Sequence, residues 1–374
     1  MRGKEKEMTI RKIAVVGPVY PYKGGISHYT GLLVRALKKR YEVYTVSYKM
    51  QYPRLLFRKE QRDYENDSFK IEDAEFLINT ANPFNISKCA GHINGLKPDL
   101  VIIQWWHPYF SPCYRILAKK LKAKVMFICH NVFPHERFPL DRALTKTVLK
   151  NGDFFILHSK KEAYELLGIV KDAKYAINMH PTYSAFKMDK RDKDDTTSHE
   201  GLKLLFFGFV RPYKGLKILL KAMEALPDVV KLIVVGDFGG SRPEYDELIE
   251  KGGLKERVTI REGYVPDKEV GEYFENCDAV VLPYIDATQS GIAQIAFGFE
   301  KPVIATNAGG LPEVVTDSKT GVLCEANDAD SLTEAIKRFS ALRNEIDFAA
   351  NIKEDSGRFS WEHMVNTIGK LAES

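Results

Sequence analysis

Four stretches of this 374-residue sequence carry residue types and spacings that suit anion binding or proton handling. In Phe206-Phe-Gly208-Phe-Val-Arg211-Pro-Tyr-Lys214-Gly215, two cations stand three residues apart beside two glycines. Where a strand ends and a helix opens, such a pair can neutralise both phosphates of a nucleoside diphosphate, and the helix N-terminus adds partial positive charge. Gly24 and Gly25, just before an amphipathic run, leave bare backbone N–H groups suited to phosphate or sugar hydroxyls, unless they form a plain turn. His130-Asn131 follows the apolar run 125–129, so His130 stands past a strand's carboxyl end, where an imidazole can donate to a sugar hydroxyl or share developing positive charge. A satisfied structural histidine is the alternative. Trp105, Trp106 and His107 end the preceding run; aromatic faces bind sugar rings or lipid, or they pack in the core. In Pro283-Tyr284-Ile-Asp-Ala-Thr288-Gln289-Ser290-Gly291 a hydroxyl, an amide and free N–H groups make another anion-receptive junction, with a simple helix N-cap as the alternative.

The elements that position these residues alternate. Apolar runs at 13–16, 43–47, 100–104, 125–130 and 154–158 read as buried parallel strands, with amphipathic stretches at 26–39, 114–121, 140–150 and 160–167 between them. The polar text KMDKRDKDDTTSHE then interrupts, and alternation restarts with strands at 202–207, 232–235, 258–260, 279–282, 303–305 and 322–324. Helices are expected at 216–226, 244–250, 268–276 and 291–299, with a helical tail from near Asp328. This pattern predicts an α/β fold of two doubly wound domains: 1–186, a linker at 187–200, and 201–358. Residues 359–374, with Trp361, form a last helix that crosses back to the first domain or caps the second. Two such domains side by side create a ligand cleft at their strand ends.

Composition narrows the function. With 44% apolar and 28% charged residues the chain builds ordinary cores, and disorder, collagen and coiled coil are excluded. No apolar run is long enough to cross a bilayer, and the charged start Met1 to Met8 lacks a signal-peptide core, so a cytoplasmic location is expected. Five cysteines, none in C-x-x-C, read as core residues of a reduced protein. The acidic run Asp189 to Asp195 lies in the linker and the histidines are scattered, so no metal site is indicated. The absence of G-x-G-x-x-G removes the dinucleotide fingerprint and most of the case for a dehydrogenase. Residues 1–187 carry 32 Lys and Arg against 17 Asp and Glu, whereas 188–374 carry 23 against 33, so the first half is suited to an anionic partner. Lys38-Lys39-Arg40, Arg58-Lys59, Lys119-Lys120-Leu-Lys122 and Lys160-Lys161 could draw it to an anionic membrane face at about 1 kcal/mol per residue. Nucleic acid is not expected as a partner, because no reading motif accompanies the basic residues.

Taken together, Gly24-Gly25, His130-Asn131, the Gly-x-x-Arg-x-x-Lys-Gly run at 208–215, Gly263-Tyr-Val-Pro266 and Lys301-Pro-Val-Ile-Ala-Thr-Asn-Ala-Gly-Gly-Leu-Pro-Glu313 resemble the retaining glycosyltransferases of family 4. The likeness spans nearly the whole chain and implies the GT-B architecture, two Rossmann-like domains facing across a cleft. It also implies a donor of nucleotide-diphosphate-sugar type, UDP or GDP, with no cofactor and no metal. By the same resemblance Arg211 and Lys214 hold the diphosphate, Tyr264 and Val265 flank the base, and His130 contacts the transferred sugar. Gly24, Gly25, Gln289, Ser290, Gly291 and Gln294 complete the donor contacts, and the N-terminal domain presents a sugar or lipid-linked sugar acceptor. Stabilising the departing diphosphate supplies much of the catalysis, and the acceptor proton passes to a donor phosphate oxygen. The expected role is in polysaccharide or glycolipid assembly, at the inner membrane face. Two departures stand out: Ala287 and Ile295 occupy positions where many members carry glutamates, and Phe209 follows Gly208 where the arginine commonly stands. They motivate a second expectation, a GT-B-fold binding or scaffold protein without catalysis; a phosphorylase or epimerase on the same fold is a third.

Overall fold

The computed structural model describes residues 10–57, 60–64, 69–134, 136–183, 186 and 201–374. The expected linker 187–200, the acidic run within it, the charged start and Arg58-Lys59 lie outside the described residues. The chain divides into two compact units, Met1–Met179 with Trp361–Ser374, and His180–Ser360.

In the first unit β1 (Lys12–Val16), α1 (Gly25–Leu37), β2 (Glu42–Met50), β3 (Glu75–Asn79), α2 (Pro83–Leu96), β4 (Leu100–Trp105), α3 (Ser111–Lys120), β5 (Lys124–Cys129), α4 (Asp141–Leu149), β6 (Phe154–Leu157), α5 (Lys160–Leu167) and β7 (Lys174–Ile177) alternate along the chain. Its seven strands are all parallel, in the order β3-β2-β1-β4-β5-β6-β7. The centre is buried on both faces, which is why these strands read as unbroken apolar runs: Ile13–Val16 register against Val43–Val46 on one side and Leu100–Ile103 on the other. Caps set the helix starts. Asn82 accepts from Asn85 N at 3.0 Å to open α2, and Ser159 accepts from Glu162 N at 3.3 Å to open α5. Glu162 in turn accepts from His158 N at 2.7 Å, so two donors at the entry of α5 are satisfied reciprocally.

The second unit runs β8 (Leu202–Phe207), α6 (Leu216–Glu224), β9 (Val230–Gly236), α7 (Arg242–Lys251), β10 (Val258–Glu262), α8 (Asp267–Glu275), β11 (Ala279–Leu282), α9 (Gly291–Gly298), β12 (Val303–Thr306), α10 (Leu311–Val314), β13 (Gly321–Cys324), α11 (Ala329–Leu342) and α12 (Phe348–Asp355). Its six parallel strands are ordered β10-β9-β8-β11-β12-β13, so the order reverses beside β8, the usual place for a ligand in such a sheet. Helix α13 (Trp361–Ala372) returns to the first unit: the Trp361 ring meets Tyr29 edge-on at 5.1 Å, and Asn366 accepts from Arg40 at 2.9 Å. All five cysteines are buried and free.

The boundary at 186 read from the sequence is corrected to 179/180. Residues after Met179 already pack on the second unit, with Thr182 N donating to Phe359 O at 3.0 Å and Tyr183 N to Gln294 O at 3.4 Å. The polar text from Lys187 marks a change of composition, whereas the change of packing partner comes seven residues earlier.

Candidate functional site

In the second unit the carboxyl ends of β8, β9 and β10 finish on Gly208, Gly236 and Gly263. The three are stitched together by backbone bonds, Gly208 N to Val235 O at 2.8 Å and Gly263 N to Gly236 O at 2.9 Å. They sit so close that a Cβ on Gly236 would come within 1.8 Å of Gly208 O. A bare backbone ledge results. Beyond Gly208 the chain makes a short 3-10 turn, Pro212–Lys214, pinned to the loop after β11 by Ile285 N donating to Tyr213 O at 2.7 Å. Gly215 closes the turn at φ 70°, and its missing Cβ would meet Pro283 O at 1.8 Å, so both conformation and space demand glycine.

That turn lays Lys214 into the molecule. Its side chain is 9% exposed, with Nζ 5.5 Å from the Tyr284 ring centre and 3.1 Å from where a Cβ on Gly208 would stand. Among the described residues no carboxylate pairs with it. Burial lowers its pKa, and the neighbouring Arg211 charge pushes the same way while Tyr213 opposes. A buried ammonium with no internal counter-charge is costly, and the site gains from an incoming anion. Arg211 is exposed, with a guanidinium nitrogen 3.7 Å from a Cβ position on Gly239, in the loop after β9. The two cations therefore flank the Gly208–Gly236 ledge.

Helix α9 approaches the same place, since Ile292 of its first turn lies 3.6 Å from the Gly208 Cβ position. Ser290 caps it, its Oγ accepting from Ala293 N at 3.4 Å and standing 3.4 Å from the Tyr284 hydroxyl. The N–H groups of Gly291 and Ile292 belong to the first turn, where no intrahelical acceptor exists. Gln289 Oε1 and both polar atoms of Gln294 are buried without a hydrogen-bond partner among the described residues. Ala287 and Ile295 are buried apolar residues, and Ala287 O lies against Gly309, where a Cβ would approach to 1.5 Å. Tyr264 is 40% exposed just past the Gly263 turn, whereas Val265 is buried and supports the loop from beneath.

In the first unit Gly24 caps α1 at φ 105°, and among the described residues nothing lies within 4 Å of the Cβ position of Gly24 or Gly25. His130 lies just past the carboxyl end of β5. It is 6% exposed, its Nε2 is 2.8 Å from Gln104 Oε1, and its ring meets Tyr29 edge-on at 4.6 Å and His158 at 5.6 Å. An amide oxygen only accepts, so Nε2 carries the proton. Gln104, a polar residue in the apolar run LVIIQW, is the partner that sequence reasoning passed over although its type stood out. Trp105 proves to be core, donating to Val132 O at 3.3 Å; Trp106 donates to Tyr52 at 3.3 Å, and His107 Nδ1 accepts from Tyr109 N at 3.1 Å as a cap. Tyr284 and the glycine row were also missed: a lone tyrosine and single strand-end glycines give no periodic signal.

No group of three or more His, Cys, Asp or Glu is placed to hold a metal among the described residues, and no described helix is long and apolar enough to cross a membrane.

Two family models match the chain: Glycosyltransferase Family 4 over residues 23–175 and Glycosyl transferases group 1 over residues 188–356. The chain belongs to glycosyltransferase family 4. This transferase is 26% identical to an uncharacterised glycosyltransferase of Methanocaldococcus jannaschii, over 98% of this chain and 99% of that protein. It is 27% identical to the D-inositol 3-phosphate glycosyltransferase of Mycolicibacterium smegmatis over 62% of this chain, and spans about half, 55%, of that protein. Among solved structures, sucrose-phosphate synthase from Thermosynechococcus elongatus matches with TM-score 0.74 at 19% identity, covering 96% of this chain and 98% of that one. HepE from Anabaena, in complex with UDP, matches with TM-score 0.73 at 16% identity over 96% and 99%. At such identities the likeness shows the fold, and the fold is GT-B: two Rossmann-like units.

Proposed function

We propose that this glycosyltransferase moves a sugar, with retention and without a metal, from a nucleotide-diphosphate sugar to a sugar or lipid-linked acceptor in polysaccharide or glycolipid assembly. The observation that carries the proposal is Lys214, a buried ammonium with no described carboxylate partner, beside the Gly208 ledge and the first turn of α9. An anion seated there would receive Lys214, the exposed Arg211 and the free N–H groups of Gly291 and Ile292, a set suited to a diphosphate. Tyr264, at the end of the same ledge, is the group available to a base, and Gln289 and Gln294 offer amides to the ribose or sugar hydroxyls. In the reaction the bond from the anomeric carbon to the diphosphate breaks and a bond to the acceptor oxygen forms. The acceptor proton passes to a phosphate oxygen. The cations stabilise charge as it develops on the leaving diphosphate. His130, paired with Gln104, is the residue of the first unit assigned to the transferred sugar, with Gly24 and Gly25 at the start of α1 as further donor contacts. UDP is the nucleotide to try first, because HepE binds it.

Thermal unfolding with UDP, GDP and ADP tests this. At about 100 times its dissociation constant a nucleotide adds about 2.7 kcal/mol, which raises the melting point by about 5–10 °C. UDP is expected to do so for the wild type and not for Lys214→Ala. No shift with any nucleotide would sink the reading. Ala287 and Ile295, apolar and buried, favour a second reading, a scaffold that binds without turnover; a UDP shift with no transfer from any UDP-sugar would select it.

A further inference from the structure

Three consecutive large apolar side chains, Leu55, Leu56 and Phe57, face solvent at 84%, 64% and 41% exposure, and Phe84 stands out at 88%. They belong to one corner of the first unit. Leu55–Phe57 follow the carboxyl end of β2 in a tight turn, with Leu56 N and Phe57 N both donating to Pro53 O. Phe84 opens α2 just past the carboxyl end of β3, the edge strand next to β2. The two exits are tied: Thr80 N donates to Met50 O at 3.2 Å and its hydroxyl to Gln51 O at 2.8 Å, while Tyr52 stacks on Phe57 and packs at a tilt against Tyr109. A patch of this kind on a soluble domain marks an interaction site.

Charge decides the occupant. The stretch 49–62 carries Lys49, Arg54, Arg58, Lys59 and Arg62 against Glu60 alone, and Lys88 is exposed one helical turn after Phe84. Of these, Lys49, Arg54, Arg62 and Lys88 are described, with Glu60 and Asp63 beside them, while Arg58 and Lys59 lie outside the described residues. Exposed apolar side chains with cations near them in the chain suit the headgroup region of an anionic bilayer, where alkyl and aromatic groups bury and cations meet lipid phosphates. We infer that the Leu55-Leu56-Phe57 turn, with Phe84, seats this unit in an anionic lipid surface.

The fold makes the inference specific. Helices follow strands and run back, so Lys38-Lys39-Arg40, after α1, and Lys119-Lys120-Leu-Lys122, after α3, lie at the amino edge of the sheet, opposite the apolar corner. A 13-residue helix separates the edges by about 20 Å, more than twice the Debye length of about 8 Å at physiological salt. A membrane at the apolar corner therefore does not feel the amino-edge lysines. His130 ends β5 at the same carboxyl edge as the corner, three strand spacings or about 14 Å along it. On the reading of the acceptor as a glycolipid, this brings a lipid headgroup alongside His130.

The test uses the full chain with sedimenting vesicles of phosphatidylglycerol and phosphatidylcholine, and of phosphatidylcholine alone. Wild type is expected to partition into the anionic vesicles. Leu55→Ser/Leu56→Ser, at exposed positions where folding is unaffected, is expected to bind at least about tenfold more weakly, and Lys119→Gln/Lys120→Gln within twofold of wild type. Absence of binding by wild type, unchanged binding by the serine variant, or an equal loss in the lysine variant each overturns the inference. So does a serine variant that alters only the oligomeric state in light scattering, which would make the patch a protein interface. The UDP melting shift is read on the same samples: lost vesicle binding with an intact shift rejects the membrane surface alone, and the converse rejects the donor site alone.

Discussion

Lys214 carries a buried charge at a cost in stability. Its ammonium is buried over the Tyr284 ring, and its pKa falls because water is excluded. Removing the charge while keeping the volume relieves that cost, because buried ions exchanged for apolar groups are often neutral or stabilising. Lys214→Met is therefore expected to melt about 2–6 °C above wild type without nucleotide, a gain of about 1–2 kcal/mol, and to show no UDP shift. A variant that melts lower would mean that Lys214 is held by an internal partner and is a structural residue. His130 illustrates the opposite balance. It pairs with Gln104 and packs on Tyr29, both of the first unit; its type and place at a strand end were legible in the sequence while its burial was not. Burial depends on Tyr29 and His158, residues 101 and 28 positions away, which no local spacing reveals.

At the scale of elements the junctions matter more than the strands. Gly215 and Gly240 both have positive φ, 70° and 93°, yet a Cβ at Gly215 would collide with Pro283 O whereas nothing lies within 4 Å at Gly240. Gly240→Ala then pays the left-handed conformation alone, about 1–2 kcal/mol. Gly215→Ala must also push the Lys214 turn off the loop after β11, and about 3 kcal/mol or more is expected, with the UDP shift reduced; equal melting points for the two variants would contradict this. The central strands were readable from sequence because burial on both faces leaves them almost wholly apolar, as in Leu204–Phe207 and Ala279–Leu282. The edge strands of the first unit were not, although β10 and β13 at the edges of the second were. β7, Lys174–Ile177, is exposed at nearly every position, and β3, Glu75–Asn79, buries only Ile78, so neither shows an apolar run. Helix α2 went unseen for a related reason: Gly91, Gly95 and the asparagines dilute its apolar stripe, and its start is set by the Asn82 cap and Pro83. The donor-side junctions were legible as clusters of glycine and cation, but not the stitching of Gly208, Gly236 and Gly263, which joins residues 27 and 28 apart.

For the molecule as a whole, the two units are expected to answer to different variables. On the proposed function UDP would act on the second unit, which holds Arg211 and Lys214, while pH is expected to act on the first through two buried groups at the entry of α5. Burial raises the Glu162 pKa to about 8, with repulsion from Glu165 adding, and lowers that of His158 to about 4. Unfolded, they titrate near 4.5 and 6.5. Between pH 4.5 and 6.5 the unfolded chain gives up the Glu162 proton that the fold keeps, which costs stability as pH rises. Over the same range it binds a His158 proton that the fold refuses, so stability rises with pH, and the two trends offset. Above pH 6.5 His158 is neutral in both states and Glu162 acts alone. Stability of the first unit falls up to pH 8 by about 2 kcal/mol, a drop of about 4–8 °C in its melting transition. Glu162→Gln keeps an acceptor for His158 N and removes the titration, so its transition should stay level from pH 6.5 to 8 while that of wild type declines. Parallel declines in both proteins would place the titrating group elsewhere. If the donor nucleotide binds the other unit, as proposed, adding UDP at pH 8 should move the UDP-sensitive transition without restoring what Glu162 has lost. A calorimetric scan at the two pH values, with and without UDP, reads both effects on one sample.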